Sequence, residues 1–196
     1  MISCRKLLSV VIGVILYGSD SMFMSAIMPI FPLAAQRRGI SSFWIGLVFA
    51  SMYVSVFIAS FIWPMVLKPT HYVQAYVISG FVVGLSFFCF GCIIFVQDST
   101  LFIALCLATR VLGGISMSLM YACAIPVITN MITEKSGLII TAMQTAAYIG
   151  VSLGPGAASG LFSIGGYYLP FTTLGIFVIT LSFLSMILFC SFAQLI

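Results

Sequence analysis

The sequence predicts an all-α membrane protein, a single bundle of six transmembrane helices over residues 1–196. Hydrophobic residues make up 63% of the chain and charged residues 5%, which leaves too little polar surface for a soluble domain of this size. The apolar runs are longer than barrel strands and do not alternate with polar residues. A net charge of +4 is too dilute to indicate nucleic-acid binding, so the partner that the composition implies is a lipid bilayer.

Six apolar runs, separated by short polar turns, are each long enough to cross a bilayer. Pro29 and Pro32 lie near the end of the first run, where they are expected to bend or terminate the helix. The turns are too short for a soluble domain between the helices. The predicted helices cover residues 7–33, 43–67, 72–96, 101–132, 137–164 and 168–192.

Basic residues near the helix ends predict a cytoplasmic N-terminus, because cytoplasmic loops of membrane proteins carry an excess of Lys and Arg. With this orientation the opposite side carries only Arg37 and Arg38 near helix ends. We therefore expect an integral, multi-pass protein, with no sorting signal that selects a vesicle, an organelle or the plasma membrane. The basic residues on the cytoplasmic side would be Arg5, Lys6, Lys68 and Lys135.

Two charged residues lie deep within apolar runs, Asp20 in predicted helix 1 and Arg110 in predicted helix 4. An unpaired Arg at the bilayer centre costs about 3 kcal/mol on insertion scales, so such a residue is expected to face a partner or a wet cavity. Helices 1 and 4 begin two successive groups of three, as in an inverted repeat around a central path. We expect Asp20 and Arg110 to face each other, either for proton coupling or as a static ion pair that holds two helices together.

Small residues predict close helix contacts in two places. Gly113 and Gly114 follow Arg110 in helix 4, and Gly150 and Gly154 lie four residues apart in helix 5. Pro155 directly follows Gly154 and is expected to kink helix 5 there. The pattern indicates either simple tight packing or a bend in a protein that changes shape.

These features resemble the N-terminal half of the major facilitator superfamily, specifically its proton-coupled drug antiporters. Within that superfamily, residues 45–51 and 153–171 are most similar to the vesicular amine and polyamine transporters. The loop between helices 2 and 3 departs from the family motif, since it lacks Asp and has Lys68 as its only cation. Three motifs carry the resemblance: Asp20 with Pro29 and Pro32, residues 110–114 with Arg-x-x-x-Gly, and residues 150–159 with the helix 5 antiporter motif.

The resemblance implies one six-helix half, a three-plus-three inverted repeat, of a major facilitator fold. It implies transport of small organic cations, such as polyamines or monoamines, by proton antiport, with Asp20 and Arg110 in proton coupling. The implied partners are the cation, protons and either a second six-helix half or a second copy of the chain. The residues leave another interpretation open, a truncated membrane protein that does not transport but binds or modulates a full-length relative.

Aromatic and sulfur-containing side chains near the buried charges are candidates for a cation site, because organic cations bind aromatic faces. Each of them is also compatible with ordinary core packing. No enzyme, cofactor or metal is expected: Ser152 matches a hydrolase elbow, but it lies within a predicted helix, and the only histidine is in a distant loop. The candidate cation-binding residues are Tyr17, Met24, Met117, Tyr121, Gln144 and Tyr148.

Overall fold

Six long helices, connected by short turns, make up the computed structural model, which describes residues 4–193. Each is long and apolar enough to cross a membrane, so the predicted all-α fold of six spans is confirmed. The predicted domain also included residues 1–3 and 194–196, which lie outside the described part of the chain. The helices are α1 (Cys4–Arg37), α2 (Ser42–Val66), α3 (Tyr72–Cys92), α4 (Ser99–Thr129), α5 (Ser136–Gly165) and α6 (Tyr168–Ala193).

Of the two effects expected of Pro29 and Pro32, a bend or an end of the helix, the end is excluded, because α1 continues through both prolines to Arg37 rather than stopping near residue 33. Each proline removes a helical hydrogen bond, but tertiary packing holds this segment. Phe31 lies between the two prolines, is almost fully buried, and contacts three other aromatic rings. These rings belong to Phe49, Phe90 and Phe102.

The connections at the helix ends are tight. Short 3₁₀ turns precede α3 and α5, and another follows α3, which therefore ends about one turn earlier than predicted. The carboxylate of Asp98 accepts a hydrogen bond of 2.8 Å from the backbone N–H of Thr100 and so caps the first turn of α4. The short turns make consecutive helices run in opposite directions across the bundle.

The six helices pack as two related groups of three. α1 lies mainly against α5, α2 mainly against α4, and α3 against α6. The first group is α1 to α3 and the second is α4 to α6. Exchanging the two groups converts the α1–α5 pair into the α4–α2 pair and leaves the α3–α6 pair unchanged. This is the packing expected of an inverted three-plus-three repeat, in which the first helices of the two groups meet near the centre.

The two corresponding helix pairs are in contact at backbone distance. Gly150 and Gly154 of α5 lie directly on the backbone of α1, and a Cβ added at Gly154 would lie 2.6 Å from the carbonyl oxygen of Met22. A Cβ at Gly114 of α4 would lie 2.7 Å from the carbonyl oxygen of Met52 in α2. Only glycine permits these approaches, so the predicted small-residue surfaces are the contacts between the pairs.

Gly113 has more space around it than Gly114, and Pro155 does not end its helix. A Cβ at Gly113 would make only ordinary contact, 3.6 Å from the Cβ of Ser86. Pro155 lies inside α5, which continues without interruption to Gly165. Tight packing in helix 4 therefore depends on Gly114 rather than on Gly113.

We predict that Gly154→Ala destabilises the bundle, because the added methyl group must push α5 away from α1. Overpacking of this kind costs about 1–3 kcal/mol. Gly160→Ala in the same helix is the matched control, since nothing lies within 4 Å of a Cβ added there. Detergent-induced unfolding of the purified protein should show a loss of stability for Gly154→Ala only, and equal stabilities would contradict the packing described above.

Candidate functional site

The buried carboxyl group of Asp20 lies among hydroxyl groups and aromatic rings from α1 and α4. Asp20 is 0% exposed. The side chain of Tyr121 on α4 interacts with the Asp20 carboxyl and also with residues of α1 beside it. The Tyr121 ring lies 5.0 Å from the ring of Tyr17, centre to centre, and its hydroxyl oxygen is 3.4 Å from the Oγ of Ser21. Asp20 is therefore at the contact between the two central helices.

Neither carboxylate oxygen of Asp20 has a hydrogen bond of good geometry to a described residue, and its polar contact is the nearby Tyr121 hydroxyl. A buried carboxylate that lacks both hydrogen bonds and a counter-charge is costly, and the group avoids that cost by binding a proton. A positive ligand or a guanidinium brought to the carboxyl would instead stabilise the charged form. The site is thus chemically suited to exchange a proton for a cation.

Arg110 is also buried, with 1% of its surface exposed, but aromatic rings surround it rather than acids. Its guanidinium carbon lies 4.9 Å from the ring centre of Phe23 and 5.9 Å from that of Phe90. The Nε and Nη1 atoms have no hydrogen-bond partner in the described part of the chain. Contact with ring faces stabilises a desolvated cation, although it supplies no counter-charge.

The structure buries both predicted charges but does not pair them. Asp20 meets α4 at Tyr121, which is 11 residues, or about 16 Å along the helix, beyond Arg110. Arg110 instead meets α1 at Phe23, about one turn beyond Asp20. In this conformation, therefore, the expected contact between Asp20 and Arg110 is not formed. The sequence placed both residues in the interior but could not fix the helix register that separates them.

The candidate cation-binding residues differ in their accessibility. Tyr148 is 72% exposed and Gln144 is exposed beside it on α5, while the Gln144 side chain lies close to the hydroxyl of the nearly buried Tyr17. Met24 is partly buried and packs on the core, and Met117 is fully buried. A chain of contacts thus leads from the exposed face of α5 through Tyr17 to Tyr121 and Asp20.

Sequence reasoning missed Arg38, which it treated only as a loop charge. Arg38 donates hydrogen bonds to the carbonyl oxygens of Ile94 and Val96, and its guanidinium lies 4.2 Å from the ring centre of Phe102. It therefore connects the α1–α2 turn to the α3–α4 turn. A groove of about 560 Å³ lies beside it between the first turns of α2 and α4, and none of the predicted site residues lines that groove.

The aromatic surroundings of Arg110 were also missed. The sequence analysis made no prediction for Phe23 or Phe90, since nothing in their spacing indicates that they lie on a guanidinium. The one available signal was the burial of Arg110 itself, which required either an acid or rings as neighbours.

Residues 13–192 match the family model of the Major Facilitator Superfamily. The chain belongs to the major facilitator superfamily. The match covers almost the whole chain and confirms the predicted fold, the six-helix half of that superfamily. The superfamily consists of membrane transporters rather than enzymes. Membership of it therefore agrees with the six apolar helices of an integral, multi-pass protein.

Among known proteins, this superfamily member is similar to the MFS-type transporter SLC18B1. The Homo sapiens protein is 27% identical over 165 residues, which cover 84% of this chain and 36% of the relative. The Mus musculus protein is 23% identical over 173 residues, which cover 88% of this chain and 38% of the relative. The chain thus spans a little over a third of the length of the curated relatives it matches.

We predict that Phe23→Leu destabilises the bundle by about 2 kcal/mol, because it removes the ring that lies on the Arg110 guanidinium and leaves a small cavity. Phe183→Leu on α6 is the control, since that ring is 53% exposed and should cost less than about 0.5 kcal/mol. Both values are measured by detergent-induced unfolding. If the two substitutions cost the same, the ring contact does not stabilise Arg110.

Proposed function

We propose that the chain forms one six-helix half of a transporter that exchanges small organic cations, such as polyamines or monoamines, for protons. The observation that carries this proposal is Asp20, a carboxyl group fully buried in a membrane helix with no cationic side chain of the described residues against it. Ionisable groups inside membrane bundles are costly, and transport pathways and proton relays are where they occur. The similarity to SLC18B1 transporters supports the general class.

The surroundings of Asp20 favour a cationic substrate. Tyr17 and Tyr121 present two rings at an angle of 52° beside the carboxyl, and an amine can contact such rings while it pairs with the carboxylate. Gln144 and Tyr148 lie on the accessible side of Tyr17 and would be the first contacts for an entering cation. Met24 and Met117 complete the proposed half-site once the helices separate.

Arg110 would act on Asp20 through a change in helix position. In the observed conformation the two are apart, which favours a neutral, protonated carboxyl at Asp20. A shift of α4 relative to α1 that brings Arg110 to Asp20 would stabilise the carboxylate and release the proton. The glycine contacts of α5 on α1 and of α4 on α2 are where such a shift would occur, because smooth helix surfaces slide without interlocked side chains.

A second six-helix bundle would complete the site. α2 and α5 are the least buried helices of the structure, and the accessible side of α5 carries polar residues along most of its length. A polar row of this kind suits a wet path or a partner helix better than lipid tails. We propose either a second half or another copy of the chain there, with the N-terminus in the cytoplasm. The row consists of Thr141, Gln144, Thr145, Tyr148, Ser152, Ser159 and Ser163.

We predict that Asp20→Asn abolishes proton-driven exchange. Asn has nearly the same shape but cannot carry an exchangeable proton, so the pH gradient should no longer drive accumulation. The measurement is uptake of labelled spermidine or serotonin into proteoliposomes, with and without an imposed pH gradient.

Asp98→Asn provides the matched control for Asp20→Asn. This aspartate is exposed and caps α4, so its substitution should cost about 1 kcal/mol of stability or less and leave the dependence on the pH gradient intact. Gradient-driven uptake by Asp20→Asn at the wild-type level would disprove the coupling role. Equal uptake by the unsubstituted protein with and without the pH gradient would disprove proton antiport.

A further inference from the structure

Arg110 has hydrogen-bond donors that nothing in the described part of the chain accepts. The residue is 1% exposed, and its Nε and Nη1 atoms are buried without partners. The rings of Phe23 and Phe90 lie against the guanidinium, but they accept no hydrogen bond in its plane. A fully desolvated guanidinium with free in-plane donors is a strong site for a negative ligand.

Two further unpartnered hydroxyl groups flank the same guanidinium. The hydroxyl of Tyr167 is buried without a partner, and the Tyr167 ring lies 6.2 Å from the ring of Phe90, centre to centre. Ser86 lies one turn before Phe90 on α3 and faces Gly113 of α4, where an added Cβ would come within 3.6 Å of it; its Oγ is also unpartnered. Arg110, Tyr167 and Ser86, which we call the Arg110 cluster, thus come from three segments, and each has an unused hydrogen-bond donor.

The wider charge distribution around this cluster is positive. Arg38 and Arg110 both act electrostatically on Tyr167 and on the thiol of Cys106. The acids of the chain are engaged elsewhere: Asp20 lies near Tyr121, Asp98 caps α4, and Glu134 is in the turn before α5. Two neighbouring cations without an acid in contact attract an anion from the Arg38 end of the bundle.

We propose that the Arg110 cluster is a binding site for a small monovalent inorganic anion such as chloride. A single ion can accept hydrogen bonds from the guanidinium, the phenol and the serine hydroxyl at once. The enclosure by phenylalanine rings favours a weakly hydrated, monovalent ion over sulfate or phosphate, whose desolvation is far more costly. The bound anion would neutralise Arg110 in the conformation in which Asp20 is apart from it. This inference does not depend on which cation is transported.

The test uses the purified chain in detergent with gluconate as the only anion. Chloride replaces gluconate stepwise at constant ionic strength, and the melting temperature is recorded. A site that binds only the folded protein raises the melting temperature along a saturating curve. We expect such a curve for chloride and bromide and none for sulfate. A melting temperature that does not change when chloride replaces gluconate would overturn the proposal.

Substitutions locate the site. Arg110→Met should weaken chloride binding at least tenfold, while Arg37→Gln, which removes an exposed cation at the end of α1, should leave the half-saturating concentration unchanged. If Arg110→Met does not fold, Tyr167→Phe carries the test. The phenylalanine removes a buried, unpartnered hydroxyl, so it should raise the melting temperature in gluconate and yet weaken chloride binding several-fold.

Binding of labelled chloride to the same protein gives an independent stoichiometry. We expect one chloride per chain in the unsubstituted protein. At the same chloride concentration we expect none in Arg110→Met and partial occupancy in Tyr167→Phe. Unchanged chloride affinity in both variants would show that the ion binds elsewhere and would refute the site. Transport measurements are not needed for either readout, so failure of this proposal is distinguishable from failure of proton antiport.

Discussion

The cost of placing a carboxyl and a guanidinium inside a membrane bundle without pairing them is the constraint on which the structure depends. Both Asp20 and Arg110 are removed from solvent, and each is surrounded by groups that compensate only partly for that loss. Tyrosine hydroxyls lie near the acid, and phenylalanine rings lie near the base. Such an arrangement is stable only for particular protonation and ligand states, because each charge lacks a permanent partner. In the proposed mechanism, binding of a proton, a cation or an anion would therefore change the preferred conformation of the bundle.

In the proposed mechanism, that change would occur at the glycine contacts between helices. The pairs α1–α5 and α2–α4 correspond to each other in the inverted repeat, and each meets through glycine at backbone distance. Contacts of this type depend on close, smooth surfaces and contain few interlocking side chains. The α3–α6 pair is packed tightly as well and remains a common support for both groups. The closest backbone approaches of the central helices are therefore to their partners, α1 with α5 and α4 with α2.

The sequence predicted the fold well because membrane insertion imposes strong rules. The lengths of the apolar runs determined six helices, and the glycines of helix 5 correctly indicated a close contact. The end of α1 was predicted at residue 33, just beyond Pro29 and Pro32, whereas the helix continues to Arg37 with Phe31 packed among other rings. The site was predicted only in part: burial of Asp20 and Arg110 follows from their position in apolar runs, but their separation depends on tertiary register, which periodicity does not encode. The aromatic contacts of Arg110 and the hydrogen bonds of Arg38 arise from the same long-range register.

The protonation state of Asp20 is the most direct test of the central claim that its carboxyl exchanges a proton for a cation. Infrared difference spectroscopy detects the carbonyl band of a protonated carboxyl group, and the chain has only three acidic side chains, two of them exposed. Our account predicts such a band at neutral pH, its loss when spermidine or serotonin is added, and no such band in Asp20→Asn. A band that is missing from the unsubstituted protein, or that is unchanged by the cation and by the substitution, would contradict it.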